Sequence, residues 1–175
     1  AVVAEIKSNG RLRLSPVGGF NANNAEAHNC RVYTYDGQIY EGTIQLADAS
    51  LHVNKEYSTT QRTFQSVEVV LDEPVTSKDD VKALGITNGC FVCADPNLVV
   101  TNSGYIKSRF LDDKLSAAIL LGYAKYIREN NITPLRKVYQ HMTVFEEVGH
   151  GACASIPEDV TELLSVDMGC VGDGL

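Results

Sequence analysis

Three acidic groups carry the chemistry that this chain could offer: Asp112-Asp113, Glu146-Glu147 and Asp167. Glu146 and Glu147 end an apolar run and lead at once into Val148-Gly149-His150-Gly151, a glycine-rich turn. Adjacent side chains on a strand point to opposite faces, but at a strand's frayed C-terminal end both can converge on one cleft. Such a pair suits divided work, one carboxylate binding a metal while its neighbour moves protons. Taken alone it also reads as a solvated surface pair. The other two acidic groups shift that balance, because carboxylates gathered in one place repel unless a cation neutralises them. Two divalent metals roughly 3.5–4 Å apart would polarise a carbonyl and hold a hydroxide near neutral pH. A further, unliganded glutamate would then carry the proton to a leaving amine.

The elements that must position these groups lie in the second half of the chain. Asp112 to Glu129 is the strongest helical pattern, with Leu115, Ile119, Gly122/Tyr123 and Tyr126/Ile127 near one stripe. Asp113 is expected to cap its start, and Asn130-Asn131 with Pro134 to end it. Val138 to Phe145 reads as a buried strand delivering Glu146-Glu147, Pro157-Glu158-Asp159 as a short helix start, and Leu164 to Asp167 as a strand with an acid at its tip. Helix alternating with strand implies a parallel or mixed sheet, whose ligand sites collect at strand C-termini.

The first hundred residues read differently. Ala1–Ile6 runs into the hairpin signal Asn9-Gly10, and Leu12 and Leu14 alternate with arginines on the return. Cys30 to Tyr35, the turn Asp36-Gly37 and Gln38 to Leu46 form a second hairpin, and Phe64 to Leu71 alternates again. Short strands at this spacing predict a small β-barrel or sandwich. Ser77-Lys78-Asp79-Asp80 reads as a helix N-cap, stopped by Gly85, and strands follow near Phe91–Ala94 and Leu98–Thr101. The chain therefore divides into residues 1–100, all β, and residues 101–175, α/β.

Composition narrows the partners. At 175 residues the chain can bury a real core, and 44% hydrophobic with 21% charged residues places it among globular proteins. A net charge of −7 with no basic run argues against nucleic acid. No apolar stretch approaches the roughly 20 residues that span a bilayer, so no membrane partner is expected. Cys30, Cys90, Cys93, Cys153 and Cys170 are odd in number and scattered, which fits reduced thiols in a cytoplasmic protein. Cys90-Phe91-Val92-Cys93 has metal-ligand spacing but no second pair, so it reads as small buried residues in a strand. His28, His52, His141 and His150 read as surface, edge or turn residues.

Three motifs, in order and spacing, resemble a known family. Arg109-Phe110-Leu111-Asp112-Asp113-Lys114, then Phe145-Glu146-Glu147-Val148-Gly149-His150-Gly151-Ala152, then Ser165-Val166-Asp167-Met168 look like the glutamyl-aminopeptidase and tetrahedral-aminopeptidase family of co-catalytic metallo-aminopeptidases. Gly18-Gly19 and Gly85-Ile86 with Asn88-Gly89 sit where that family's inserted barrel has similar motifs, so the resemblance spans essentially the whole chain. It implies an α/β fold: part of a mixed-sheet metallopeptidase domain plus a small β-barrel dimerisation insert. Asp112 would bridge two divalent metal ions, Glu147 and Asp167 would each bind one, and Glu146 would be the general base. Asp113 would follow Asp112 across a cis peptide and orient the site. Zinc or cobalt would serve as the metals, with manganese also suited.

The implied activity is removal of N-terminal residues from short peptides, in dimers built through the barrel and assembled into a dodecamer. The family also uses two histidine ligands, one in a His-x-Asp motif upstream of the barrel and one near the far C-terminus. None of the four histidines here matches either position, and the expectation is an internal piece of a longer polypeptide. A second reading is an oligomerisation or binding module of the same fold without catalysis. A third is a related dinuclear deacylase or carboxypeptidase, told apart by whether a blocked N-terminus abolishes cleavage.

Overall fold

Alternating apolar and polar residues close the first unit into a barrel. In the computed structural model, which describes residues 1–151, 156–172 and 174, the chain divides into two compact units, Ala1–Asp95 and Pro96–Leu175. The first contains β1 (Val2–Ile6), β2 (Leu12–Ser15), β3 (His28–Tyr33), β4 (Ile39–Leu46), β5 (Val67–Leu71), α1 (Lys78–Ala83) and β6 (Phe91–Ala94). The strands pair antiparallel in the closed order β1-β2-β5-β4-β3-β6. Closure leaves no unpaired sheet edge.

Val3, Leu12, Leu14, Val32, Ile44, Leu46, Val67, Val69 and Val92 point inward and are buried. Each contributes about 1.5–3 kcal/mol from removal of its side chain from water. Gly42 lets β4 lie close to β5, because a Cβ there would stand 2.6 Å from the Val70 carbonyl oxygen. The carboxylate of Glu68, itself buried at 3% exposure, pairs with Lys7 and with Arg11 at 3.6 Å.

The turns follow their residue types. Gly10 and Gly37 adopt positive φ of 79° and 87°, closing the first and second hairpins. Ser77 and Asp80 form a capping box at α1: the Ser77 hydroxyl accepts the Asp80 N–H at 3.2 Å, and the Asp80 carboxylate accepts the Ser77 N–H at 2.9 Å. Cys90 is buried as expected, with its sulfur accepting the Thr87 N–H at 3.3 Å, but Cys93, also expected to be buried, is exposed, because alternate residues of β6 face opposite sides. Cys153 lies outside the described residues.

The second unit contains the short hairpin β7 (Val99–Val100) and β8 (Ile106–Lys107), and the helix α2 (Leu111–Glu129). Asn130 and Asn131 end α2 as expected, the Asn130 amide and side chain both donating to the Tyr126 carbonyl. Its expected apolar stripe is uncovered, with Leu115 at 42% and Ile119 at 56% exposure. The strands expected over 138–145 and 164–167, and the helix expected at Pro157, are irregular in the structure. A strand exists only where neighbours take its N–H and C=O groups, and those segments meet no flanking strand among the described residues. No described helix is long and apolar enough to cross a membrane.

Candidate active site

The five residues singled out for chemistry all lie in the second unit. Asp112 and Asp113 stand at the start of α2, where their backbone is not helical: Asp112 has φ −79° and ψ 114°, Asp113 φ −109° and ψ 27°. The Asp112–Asp113 peptide bond is cis. Phe110 ahead of them is left-handed at φ 61° and makes no side-chain cap. The expected cap by Asp113 is not formed either. Its Oδ1 is buried and meets no hydrogen-bond partner, and the same holds for Arg109 Nε.

Glu146 and Glu147 occupy a single 3-10 turn, Glu146–Val148, ended by Gly149 at φ 79°. Glu147 accepts the backbone N–H of Asp113 at 2.9 Å, tying the turn to the start of α2. Asp167, in irregular chain, accepts the N–H of Met168 at 2.6 Å.

Electrostatics report the same gathering. Desolvation raises the Glu146 carboxyl above its ordinary range, and the negative charges of Asp167, Glu147, Asp113 and Asp112 add to the rise. Each residue that the sequence picked out is therefore an electrostatic neighbour of Glu146. The bond from the Asp113 amide could not be foreseen from side-chain types, because its donor is backbone.

Metal binding passes one test and fails another. Carboxylate oxygens suit hard divalent cations, and the orphaned Asp113 Oδ1 marks unmet polar demand beside the pair. Among the described residues, however, no three His, Cys, Asp or Glu side chains converge closely enough to hold a metal ion. His141 and His150 lie in the exposed irregular part of the same unit and complete no such group.

Comparison with known proteins shows the family of the chain. The profile of the M42 glutamyl aminopeptidases matches residues 1–175. YhfE of Bacillus subtilis (strain 168), which carries a provisional aminopeptidase name, is 41% identical over 174 residues, 99% of this chain and 50% of its own. Aminopeptidase APDkam598 from the archaeon Desulfurococcus kamchatkensis superposes with a TM-score of 0.65 at 23% identity, over 85% of this chain and 38% of that one. The TET1 peptidase of Pyrococcus horikoshii, described as assembling into a tetrahedron or a large octahedral shell, gives 0.58 at 24% identity, over 71% of this chain and 36% of that one. The chain spans about half the length of the relatives it matches.

Proposed function

Since the chain belongs to the M42 glutamyl aminopeptidase family, we propose that the protein carrying it hydrolyses the first peptide bond of peptides, with Glu146 as general base. The observation that carries this reading is the gathering of Asp112, Asp113, Glu147 and Asp167 about the Glu146 carboxyl. A carboxylate whose proton is held above the ordinary range is suited to take a proton from attacking water and return it to the departing amine. The Asp113 N–H holds Glu147 beside it at a fixed distance.

Resemblance supports two divalent ions, zinc, cobalt or manganese, with Asp112 bridging and Glu147 and Asp167 terminal. Such ions would supply Lewis-acid polarisation when bound. The side chains as placed do not form that cage, so no step is derived through it. We assign assembly to the barrel of residues 1–100 and the catalytic part to residues 101–175, with short peptides as substrates. The TET1 peptidase, described as assembling into a tetrahedron or a large octahedral shell, supports a homo-oligomer, for which we propose a dimer through the barrel and a dodecamer built from it. The second reading, an oligomerisation module of the same fold without catalysis, would leave the full-length protein without turnover.

Replacing Glu146 by Gln in the full-length protein separates the two. Release of N-terminal residues from a short unblocked peptide should fall at least 100-fold, the scale of a lost general base. Undiminished turnover sinks the assignment. Cleavage of the same peptide with an acetylated N-terminus would point instead to a deacylase or carboxypeptidase relative.

A further inference from the structure

Two glycines follow the glutamate pair, and their surroundings differ. A Cβ built at Gly149 would meet nothing within 4 Å. One built at Gly151 would stand 2.7 Å from Thr143 Cβ, 3.2 Å from its Oγ1 and 3.4 Å from its Cγ2. The 2.7 Å neighbour is bound directly to the Thr143 backbone, so no rotamer change moves it away. Gly151 also has φ +112°, outside the left-handed region that other residues can borrow.

Thr143 is distinctive in its own segment. Every residue from Glu129 to His150 is exposed except Thr143, which is half-buried, as is Gly151. The chain between them folds back on itself. The Phe145 carbonyl accepts the N–H groups of Val148 at 3.2 Å and His150 at 2.9 Å, and the Glu146 carbonyl accepts that of Gly149 at 2.9 Å. Residues 143–151 thus form a small closed loop with Glu146 and Glu147 on its turn and Thr143 against Gly151 at its base.

We infer that the Thr143–Gly151 contact is a clasp that positions the Glu146-Glu147 turn, making Thr143 and Gly151 positioning residues for the reaction. The inference rests on the proposed peptidase activity for its functional consequence, while the clasp itself is a property of the loop. Opening the base swings the turn that carries both glutamates. A misplacement of about 1 Å at reacting groups costs on the order of 100-fold in rate.

The test uses the full-length protein in four forms: unsubstituted, Gly151→Ala, Gly149→Asn and Thr143→Gly. Gly151→Ala should lower kcat at least tenfold with KM within twofold and Tm unchanged. Gly149→Asn, whose side chain enters open space, should lose less than threefold. Thr143→Gly, which removes the other half of the contact without touching Gly151, should lower kcat at least threefold. Amide hydrogen exchange gives a second reading independent of activity: Gly151→Ala should speed exchange at His150 and Asp113 at least tenfold. Unchanged kcat and unchanged exchange in Gly151→Ala overturn the clasp. Full activity in Thr143→Gly overturns it as well. If Glu146→Gln leaves turnover intact while exchange responds to Gly151→Ala, the general-base assignment of Glu146 fails and the clasp stands.

Discussion

Four carboxylates within electrostatic reach of Glu146 make its proton hard to remove. Loss of solvent acts first, followed by Asp167, Glu147, Asp113 and Asp112, and all five push the same way. The sign for stability follows from linkage: a folded-state value above the ordinary 4.5 means the folded chain binds this proton more tightly than the unfolded one. The favourable contribution is full below that ordinary value and fades as pH rises through the raised one. In the metal-free chain, carbon NMR of the Glu146 carboxyl should therefore show a midpoint above that of a model glutamate. Asp167→Asn should bring it back toward the model, since Asp167 is the first of the charged neighbours. A Glu146 midpoint that ignores Asp167→Asn would mean the two carboxyls are not neighbours in solution. The candidate acids were legible in the sequence, because Asp112-Asp113 open a helical pattern, Glu146-Glu147 precede a glycine turn and Asp167 ends an apolar run. The Asp113 amide that holds Glu147 was not, because a backbone donor leaves no trace in side-chain pattern.

Among the elements, the barrel strands and the paired segments of the second unit behaved differently. Strict alternation in Leu12–Ser15 made the inward face readable from residue order alone, since a one-residue slip would turn both leucines outward. The Ser77–Asp80 capping box was readable for the same local reason. Gly42 was not, as only the approach of β5 explains it. Gly42→Ala should destabilise the barrel by about 1–3 kcal/mol, the usual cost of overpacking a tight interior. Urea unfolding at constant m-value would measure it, and a change below a few tenths would show that β4 and β5 can separate without penalty. Val138–Phe145 has the composition of a strand and no strand geometry, because composition supplies propensity while pairing needs a neighbour at about 4.8 Å.

At the scale of the molecule, the buried apolar side chains among the described residues all belong to the first unit, Val3 through Ala94. The second unit exposes Leu135, Val144, Leu164 and Val171, at 105%, 88%, 87% and 92%. Ala1–Asp95 alone is therefore expected to unfold as one cooperative transition, with coincident near- and far-ultraviolet circular dichroism curves. Non-coincident curves would show that the barrel depends on residues beyond it. The sequence by itself determined where the strands of the barrel lie, which faces they bury, and which acids are candidates for chemistry. Each of those rests on near neighbours in the chain: alternation, turn residues, and acids beside glycine or helix starts. Only the tertiary structure decided that the barrel closes, that Glu147 takes the Asp113 amide, and that Thr143 meets Gly151. It also decided that Asp112, Glu147 and Asp167, though gathered near Glu146, form no metal cage as placed. Those outcomes depend on distances between groups that lie apart in the chain, which local pattern does not encode.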